Sequence, residues 1–175
     1  MFRNICLLMA LLGLLNACAN VRVNDYRNNE PSLVLEQFFN GQLTAHGVIK
    51  NRGGKVTRYF NATIDAHWDQ GVGTLAEYFW FNDGEEQSRQ WTLMPTGNGR
   101  YIATAGDVIG EGDANLAGNS LFLDYVLRVP YNDGTVDVRI DDRMYLVNPH
   151  TLINESGMYK FGFKVGSIAL VIIKH

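Results

Sequence analysis

The sequence predicts an all-β protein, an antiparallel up-and-down β-barrel of about eight to ten strands preceded by one short N-terminal helix. Beyond Gly41, turn-forming stretches such as "NRGG", "DQGVG" and "NDG" recur every 8 to 15 residues. The runs between them are rich in Tyr, Phe, Trp, Val, Ile and Thr, which favour strands. Closing such strands into a barrel removes their exposed edges. A two-sheet sandwich is the alternative.

The first predicted element is a secretory signal sequence. One basic residue, Arg3, precedes the apolar run "ICLLMALLGLL" at 5–15. As a helix this run would rise only about 16 Å, against roughly 30 Å of bilayer hydrocarbon, so it is too short to span a membrane. A basic tip, an apolar core of this length and small residues after it are typical of a secretory signal.

The end of this signal resembles the lipobox of bacterial lipoproteins. "LNAC" at 15–18 has an aliphatic residue three positions before Cys18 and a small residue directly before it. The resemblance implies cleavage after residue 17 and diacylglyceryl and acyl (palmitate-type) chains on Cys18. The plain alternative is a cleaved secretory signal with Cys18 as an ordinary thiol. With Ala19 and Asn20 following, the lipoprotein rule implies the outer membrane of a Gram-negative bacterium, with the domain in the periplasm.

Three segments are therefore expected: a signal at 1–17, a lipidated cysteine with a flexible tether at 18–31, and a barrel domain at 32–175. The tether "ANVRVNDYRNNEP" is polar, and "LVLEQFFN" at 33–40 predicts the short helix. The formal net charge of −3 and the lack of a basic stripe argue against nucleic-acid binding.

Strand alternation defines the predicted interior. In "RYFNATIDAHW" at 58–68, Phe60, Ala62, Ile64, Ala66 and Trp68 share one face, alternating large and small as inside a narrow barrel. We predict that the ligand-binding residues are apolar side chains and two inward acids: Phe60, Ile64, Trp68, Trp91, Leu93, Asp124 and Asp142. The alternatives are that the apolar side chains fill a solid core and that a bulge after Ile140 turns Asp142 outward.

Catalytic and metal-binding patterns are weak. The four histidines are far apart in sequence, and "DANLAGNSLFLD" at 113–124 matches a calcium loop only in part. We expect no metal and no cofactor, and assign no catalytic residue. Inward carboxylates near Asp142 or Asp124 are the only support for a lipid-acting enzyme.

Beyond Phe38, stretches such as "FFNGQLTAHGVI", "LAEYFWFNDGEEQSRQW", "GDVIGEGDANLAGNSLFLDYVL" and "YKFGFKVGSI" resemble a family of bacterial lipoproteins known as domain of unknown function 3833. The resemblance implies a lipocalin-like (calycin-like) barrel and gives a hint of lipids, but no catalytic residue. The leading hypothesis is a lipid-anchored carrier of a small hydrophobic ligand, such as a fatty acid or phospholipid. The alternative is an envelope interaction protein with a solid barrel.

Overall fold

The computed structural model describes residues 21–175, and Cys18 with the predicted signal lies outside them. Ten antiparallel strands form a closed barrel in which each strand pairs with its sequence neighbour and β1 also pairs with β10. The all-β up-and-down barrel is therefore confirmed, and the sandwich is excluded. The strands are β1 Gly41–Asn51, β2 Val56–Asp69, β3 Val72–Phe81, β4 Glu86–Gly97, β5 Arg100–Thr104, β6 Gly112–Ala117, β7 Ser120–Tyr131, β8 Gly134–Asn148, β9 Thr151–Lys160 and β10 Phe163–Lys174.

Alternation and turn chemistry explain these strands. In β2, Phe60, Ala62 and Ile64 are buried and point inward, whereas the residues between them are exposed or half-buried. Tight turns need residues that tolerate positive φ, and Gly84 and Asn132 supply φ values of 86° and 50°. The buried set fixes the register, because a slip of one residue would turn every inward side chain outward.

The end of the barrel where β1 starts and β10 finishes is covered by a short helix, and we call it the helix-covered end. The helix, α1, spans Leu35–Phe38, shorter than the predicted 33–40. The indole N–H of Trp68 donates to the carbonyl oxygen of Phe39 over 2.7 Å, and the Tyr101 hydroxyl donates to Glu36 over 3.3 Å. A helix this short has little stability alone, so these contacts and its buried side chains hold it in place.

The residues before α1 lie against the outer wall of the barrel. A 3₁₀ turn spans Val23–Tyr26, and the Tyr26 ring packs on Phe122 and Tyr145, with centroids 5.7 and 5.3 Å apart. Gly118 permits this approach, since a Cβ there would lie 1.9 Å from the Tyr26 carbonyl oxygen. Residues 21–31 thus differ from the flexible tether predicted for 18–31. Within residues 21–175, no helix is long and apolar enough to cross a membrane.

The opposite end, which we call the far end, carries the β1–β2, β3–β4, β7–β8 and β9–β10 turns and the loop 105–111. Large apolar side chains are exposed there. Phe161, at the β9–β10 turn, is 87% exposed, and Phe163 and Tyr131 are 68% and 65% exposed. Aromatic side chains are therefore buried at the helix-covered end and exposed at the far end.

Candidate functional site

A layer of polar side chains crosses the otherwise apolar interior of the barrel. Glu77 of β3 lies between the inward residues Leu75 and Phe79, and it pairs across the sheet with Arg89 of β4. Asp142 of β8 also points inward and is only 7% exposed. Buried charges are costly unless they are paired or change their protonation, so this layer needs a physical explanation.

Arg89 links the layer to the far end. Its Nε and Nη2 donate to both carboxylate oxygens of Asp107 over 2.7 to 3.0 Å, and Asp107 lies in the loop 105–111. Its Nη1 lies 4.0 Å from Oε2 of Glu77, a much looser contact. The guanidinium is therefore largely committed to Asp107, in the two-pronged geometry that suits arginine.

Asp142 is surrounded by neutral hydrogen-bonding groups. Burial raises the pKa of its carboxyl to about 6, while hydrogen bonding by Ser156, Asn154 and the Tyr125 hydroxyl opposes this rise. The single hydroxyl proton of Ser156 is donated either to Asp142 or to Asn154 Oδ1, which lies 3.0 Å from Ser156 Oγ. Asn154 is 2% exposed, and its Nδ2 makes no well-formed hydrogen bond within residues 21–175, although it still favours the charged form of Asp142.

Glu77 is the second buried acid of the layer. Burial raises its pKa to about 7; the Arg89 guanidinium and the indole of Trp91 lower it, and the charges of Asp142 and Asp107 raise it. Burial and Asp142 also raise the pKa of Tyr125 well above its ordinary value. Three carboxyl groups thus share one guanidinium, and the layer is short of positive charge.

The interior around this layer is less tightly filled than the helix-covered end. Glu77 and Arg89 keep 14% and 17% of their side-chain surface accessible. Inward apolar side chains near them are also only half-buried: Phe79, Met158 and Leu170. Near α1, by contrast, Leu43, Ala103 and Leu152 are 0 to 1% exposed. Space that water-sized groups can reach therefore adjoins the polar layer.

The predicted apolar lining residues all point inward, with different neighbours. Phe60 packs on Phe79 and Phe81, with ring centroids 5.6 Å apart in both pairs, and Trp91 packs edge-on against Tyr125 at 5.1 Å. The other three pack in the core: Ile64, Trp68 and Leu93. Trp68 also donates a hydrogen bond to the carbonyl oxygen of Phe39, just after α1. Ligand contact by any of the five stays a prediction.

The structure separates the two acids that were predicted to face inward. Strand β8 pairs without a register shift from Val136 to Leu146, so no bulge turns Asp142 outward. For Asp124 the inward prediction is wrong. Its side chain is 45% exposed on the outer wall and lies 3.4 Å from both Arg139 and Arg143. Leu123 and Tyr125, its neighbours in β7, are the residues that point inward.

Sequence reasoning missed the rest of the polar layer: Glu77, Arg89, Tyr125, Asn154 and Ser156. A usable signal existed in β4, where Arg89 shares its face with Trp91 and Leu93, both of which were predicted to line the interior. Within residues 21–175, no group of three His, Cys, Asp or Glu side chains is arranged to hold a metal ion.

The comparisons give a family and a fold. The family model described as "Protein of unknown function (DUF3833)" matches residues 12–174. A search of curated proteins finds no significant match.

Among solved structures, the S-type phycobiliprotein lyase CPES from Guillardia theta is similar with a TM-score of 0.58 at 11% identity, covering 82% of this chain and 93% of the lyase. A de novo designed fluorescence-activating β-barrel aligns with a TM-score of 0.43 at 10% identity, over 82% of this chain and 99% of the design. At such identity, the likeness to the lyase shows a shared barrel fold.

Proposed function

The chain belongs to the family described as protein of unknown function DUF3833, and for this member we propose that the barrel binds one small hydrophobic molecule with a polar end. The hydrocarbon part lies against Phe60, Phe79, Met158 and Leu170, and the polar end reaches the layer of Glu77, Arg89 and Asp142. A lipid or lipid-derived molecule has this combination of parts. The phycobiliprotein lyase offers a likeness of fold alone.

One observation carries the proposal: the polar layer is accessible inside the barrel, while the helix-covered end is sealed. A solid core would gain stability by replacing Glu77 and Asp142 with apolar side chains, because buried unpaired acids cost free energy. Their presence next to half-buried aromatic and methionine side chains is typical of a pocket, which combines apolar walls with a few polar groups.

The first test looks for a co-purified ligand. Residues 19–175 contain all ten strands and α1, and they would be produced in a bacterial periplasm and analysed by native mass spectrometry and organic extraction. We expect a one-to-one adduct with a lipid-like mass. Leu170→Trp, which fills the accessible space, should abolish the adduct, whereas Phe161→Ala at the exposed far-end turn should keep it.

A bare polypeptide mass that added lipid mixtures cannot shift would refute the carrier function. A second candidate, protein binding, would then rest on the exposed aromatics of the far end, Tyr131, Phe161 and Phe163. An adduct that persists unchanged in the folded Leu170→Trp variant would place the ligand outside the barrel, which also contradicts the proposal.

We also propose that the protein is anchored to the outer membrane through acyl chains on Cys18. The support is the apolar run 5–15 followed by "LNAC". Two or more acyl chains would hold the domain firmly, since each buried CH₂ contributes ~0.8 kcal/mol. The periplasm-facing barrel would then receive its ligand next to a lipid surface.

Metabolic labelling with an alkyne-bearing palmitate tests the anchor in the full-length protein. The native chain should incorporate the label, and Cys18→Ala should lose it. Cys6→Ala is the matched control, because Cys6 lies within the predicted signal and should not affect labelling. Label retained in Cys18→Ala, or absent from the native chain, would contradict lipidation at Cys18.

A further inference from the structure

Two neighbouring turns at the far end bring together basic residues that are far apart in the sequence. Asn51 of β1 pairs with Gly166 of β10, so the β1–β2 turn lies beside the β9–β10 turn. The stretches "KNRGGKV" at 50–56 and "KFGFKV" at 160–165 contain five basic residues and no acidic residue, in a chain with a formal net charge of −3. We call these two stretches the basic corner. The fold therefore concentrates positive charge at one edge of an acidic protein.

The basic residues of the corner are not held in ion pairs. In the described part of the chain, none of the five has a carboxylate oxygen within 4.0 Å of its charged nitrogens. Arg58 on the adjoining strand, by contrast, lies 2.7 Å from Asp83 and 2.8 Å from Glu85 of the acidic β3–β4 turn. Lys160 donates to a neutral acceptor, the backbone carbonyl oxygen of Asp137, over 2.7 Å. The corner therefore presents unpaired positive charge.

Apolar side chains project from the same corner. Phe161 and Phe163 are mostly exposed, and Val56 and Val165 beside them are exposed as well. The Lys160 ammonium lies 4.8 Å from the centroid of the Phe161 ring, so charge and ring leave the barrel together. A contiguous exposed apolar patch marks a contact site for a partner or a membrane.

The backbone of the β9–β10 turn makes Phe161 unusual. Its φ is 50°, in the left-handed region that bulky side chains rarely adopt. The other non-glycine residues with positive φ in the described part of the chain are polar: Gln70, Asn98 and Asn132. Asparagine tolerates this conformation, whereas a phenylalanine here adds strain and exposes its ring to water. Burial of the ring in a partner outside the barrel would offset this cost.

We propose that the basic corner docks on the surface of a bilayer rich in anionic phospholipid. The lipid phosphates attract the lysines and Arg52, and the rings of Phe161 and Phe163 enter the boundary between headgroups and acyl chains. A bilayer fits this shape better than a protein does, because the rings project from the tip of a tight turn and lipids can close around them. The acidic β3–β4 turn is repelled, so this edge of the barrel meets the lipid.

Co-flotation of residues 19–175 with lipid vesicles tests the proposal in the absence of the acyl chains proposed for Cys18. At low ionic strength we expect binding to vesicles made of equal parts of phosphatidylglycerol and phosphatidylcholine, and much weaker binding to phosphatidylcholine alone. Added salt should release the protein, because it screens the attraction between exposed charges. No binding to the anionic vesicles, or equal binding to both kinds, would overturn the inference and leave the exposed rings to a protein partner.

Variants of the corner separate the part played by the rings from the part played by the charges. The double variant Phe161→Ala with Phe163→Ala should bind at least ~10-fold more weakly, because two apolar rings no longer enter the lipid. Lys55→Gln with Lys164→Gln should bind several-fold more weakly, since each lysine near an anionic surface adds attraction. Native affinity in either folded double variant would overturn the inference.

Matched controls lie outside the corner. Tyr131→Ala removes an exposed ring from the β7–β8 turn at the same end, and Arg100→Gln removes an exposed basic side chain at the opposite end. Both should bind vesicles as the native chain does, and weakening as large as that of the corner variants would contradict docking through this corner. Leu170→Trp, which fills the interior, should also keep vesicle binding. Failure of docking is therefore distinguishable from failure of the proposed ligand binding.

Discussion

The two ends of this barrel contain similar aromatic side chains in opposite environments. At the helix-covered end, Phe38 and Phe39 are each 3% exposed, and their rings meet edge-on at 5.0 Å. At the far end, Phe161 and Phe163 are mostly exposed on either side of a turn. The comparison teaches that aromatic rings close the helix-covered end of the barrel, whereas the aromatic rings of the far-end turn face solvent.

The two ends also differ in the hydrogen bonds that join their loops and helix to the barrel. The Lys174 ammonium donates to the carbonyl oxygens of Phe38 and Asn40 over 3.3 and 3.1 Å and also to that of Gln37, which ties the last strand to α1. At the far end, the tie between a loop and the interior is the ion pair of Asp107 with Arg89. The first tie satisfies neutral carbonyls at the end of a helix, whereas the second leaves a partly exposed carboxylate over the interior.

The largest effect should come from removing a ring at the sealed end. Phe38→Ala leaves a cavity beneath α1 and should lower the free energy of unfolding by about 3–5 kcal/mol, measured by urea denaturation. Phe161→Ala is the control of identical chemistry at the other end. Because its ring is 87% exposed, it should change stability by less than about 0.5 kcal/mol. Similar losses in both variants would show that the two ends do not differ as described.

Most of the fold was predictable from alternation and turns, because a closed barrel needs little else. The clean pattern of β2 gave its inward face correctly, and continuing the pattern of β8 past Ile140 correctly predicted an inward Asp142. Turns with Asn and Gly marked where strands end. These signals are local, and each depends on residues only a few positions apart.

The candidate site was predictable only in part, because in two strands the sequence does not show which residues face inward and which face outward. In "SLFLDYVLRV" both faces are apolar, so nothing in the sequence shows that Leu123 and Tyr125 point inward and Asp124 outward. In "LAEYFWFN" the outward Tyr78 and Trp80 hide the inward position of Glu77. The outer face of β7 is apolar at Phe122 because Tyr26 covers it, a contact between distant parts of the chain.

A smaller effect, on how stability depends on pH, would sharpen the contrast between the sealed end and the polar layer. Glu77 has a pKa of about 7 in the folded barrel against an ordinary value of 4.5, so the folded state binds the proton more tightly than the unfolded chain does. Its contribution to stability is therefore full below pH about 4.5 and is lost as pH rises through about 7. Asp142, raised from 3.8 to about 6, acts in the same direction over a lower range.

Glu77→Gln should remove the larger part of this pH-dependent loss of stability. Between acid and mildly alkaline pH, ionisation of Glu77 should lower the free energy of unfolding of the native protein by on the order of 3 kcal/mol. The variant should not show this decrease. Urea denaturation across this range measures the difference, with Glu155→Gln as the exposed control that keeps the native profile. Parallel native and Glu77→Gln profiles would show that burial does not raise the pKa of Glu77, and the polar layer would then not differ from the sealed end in the way described.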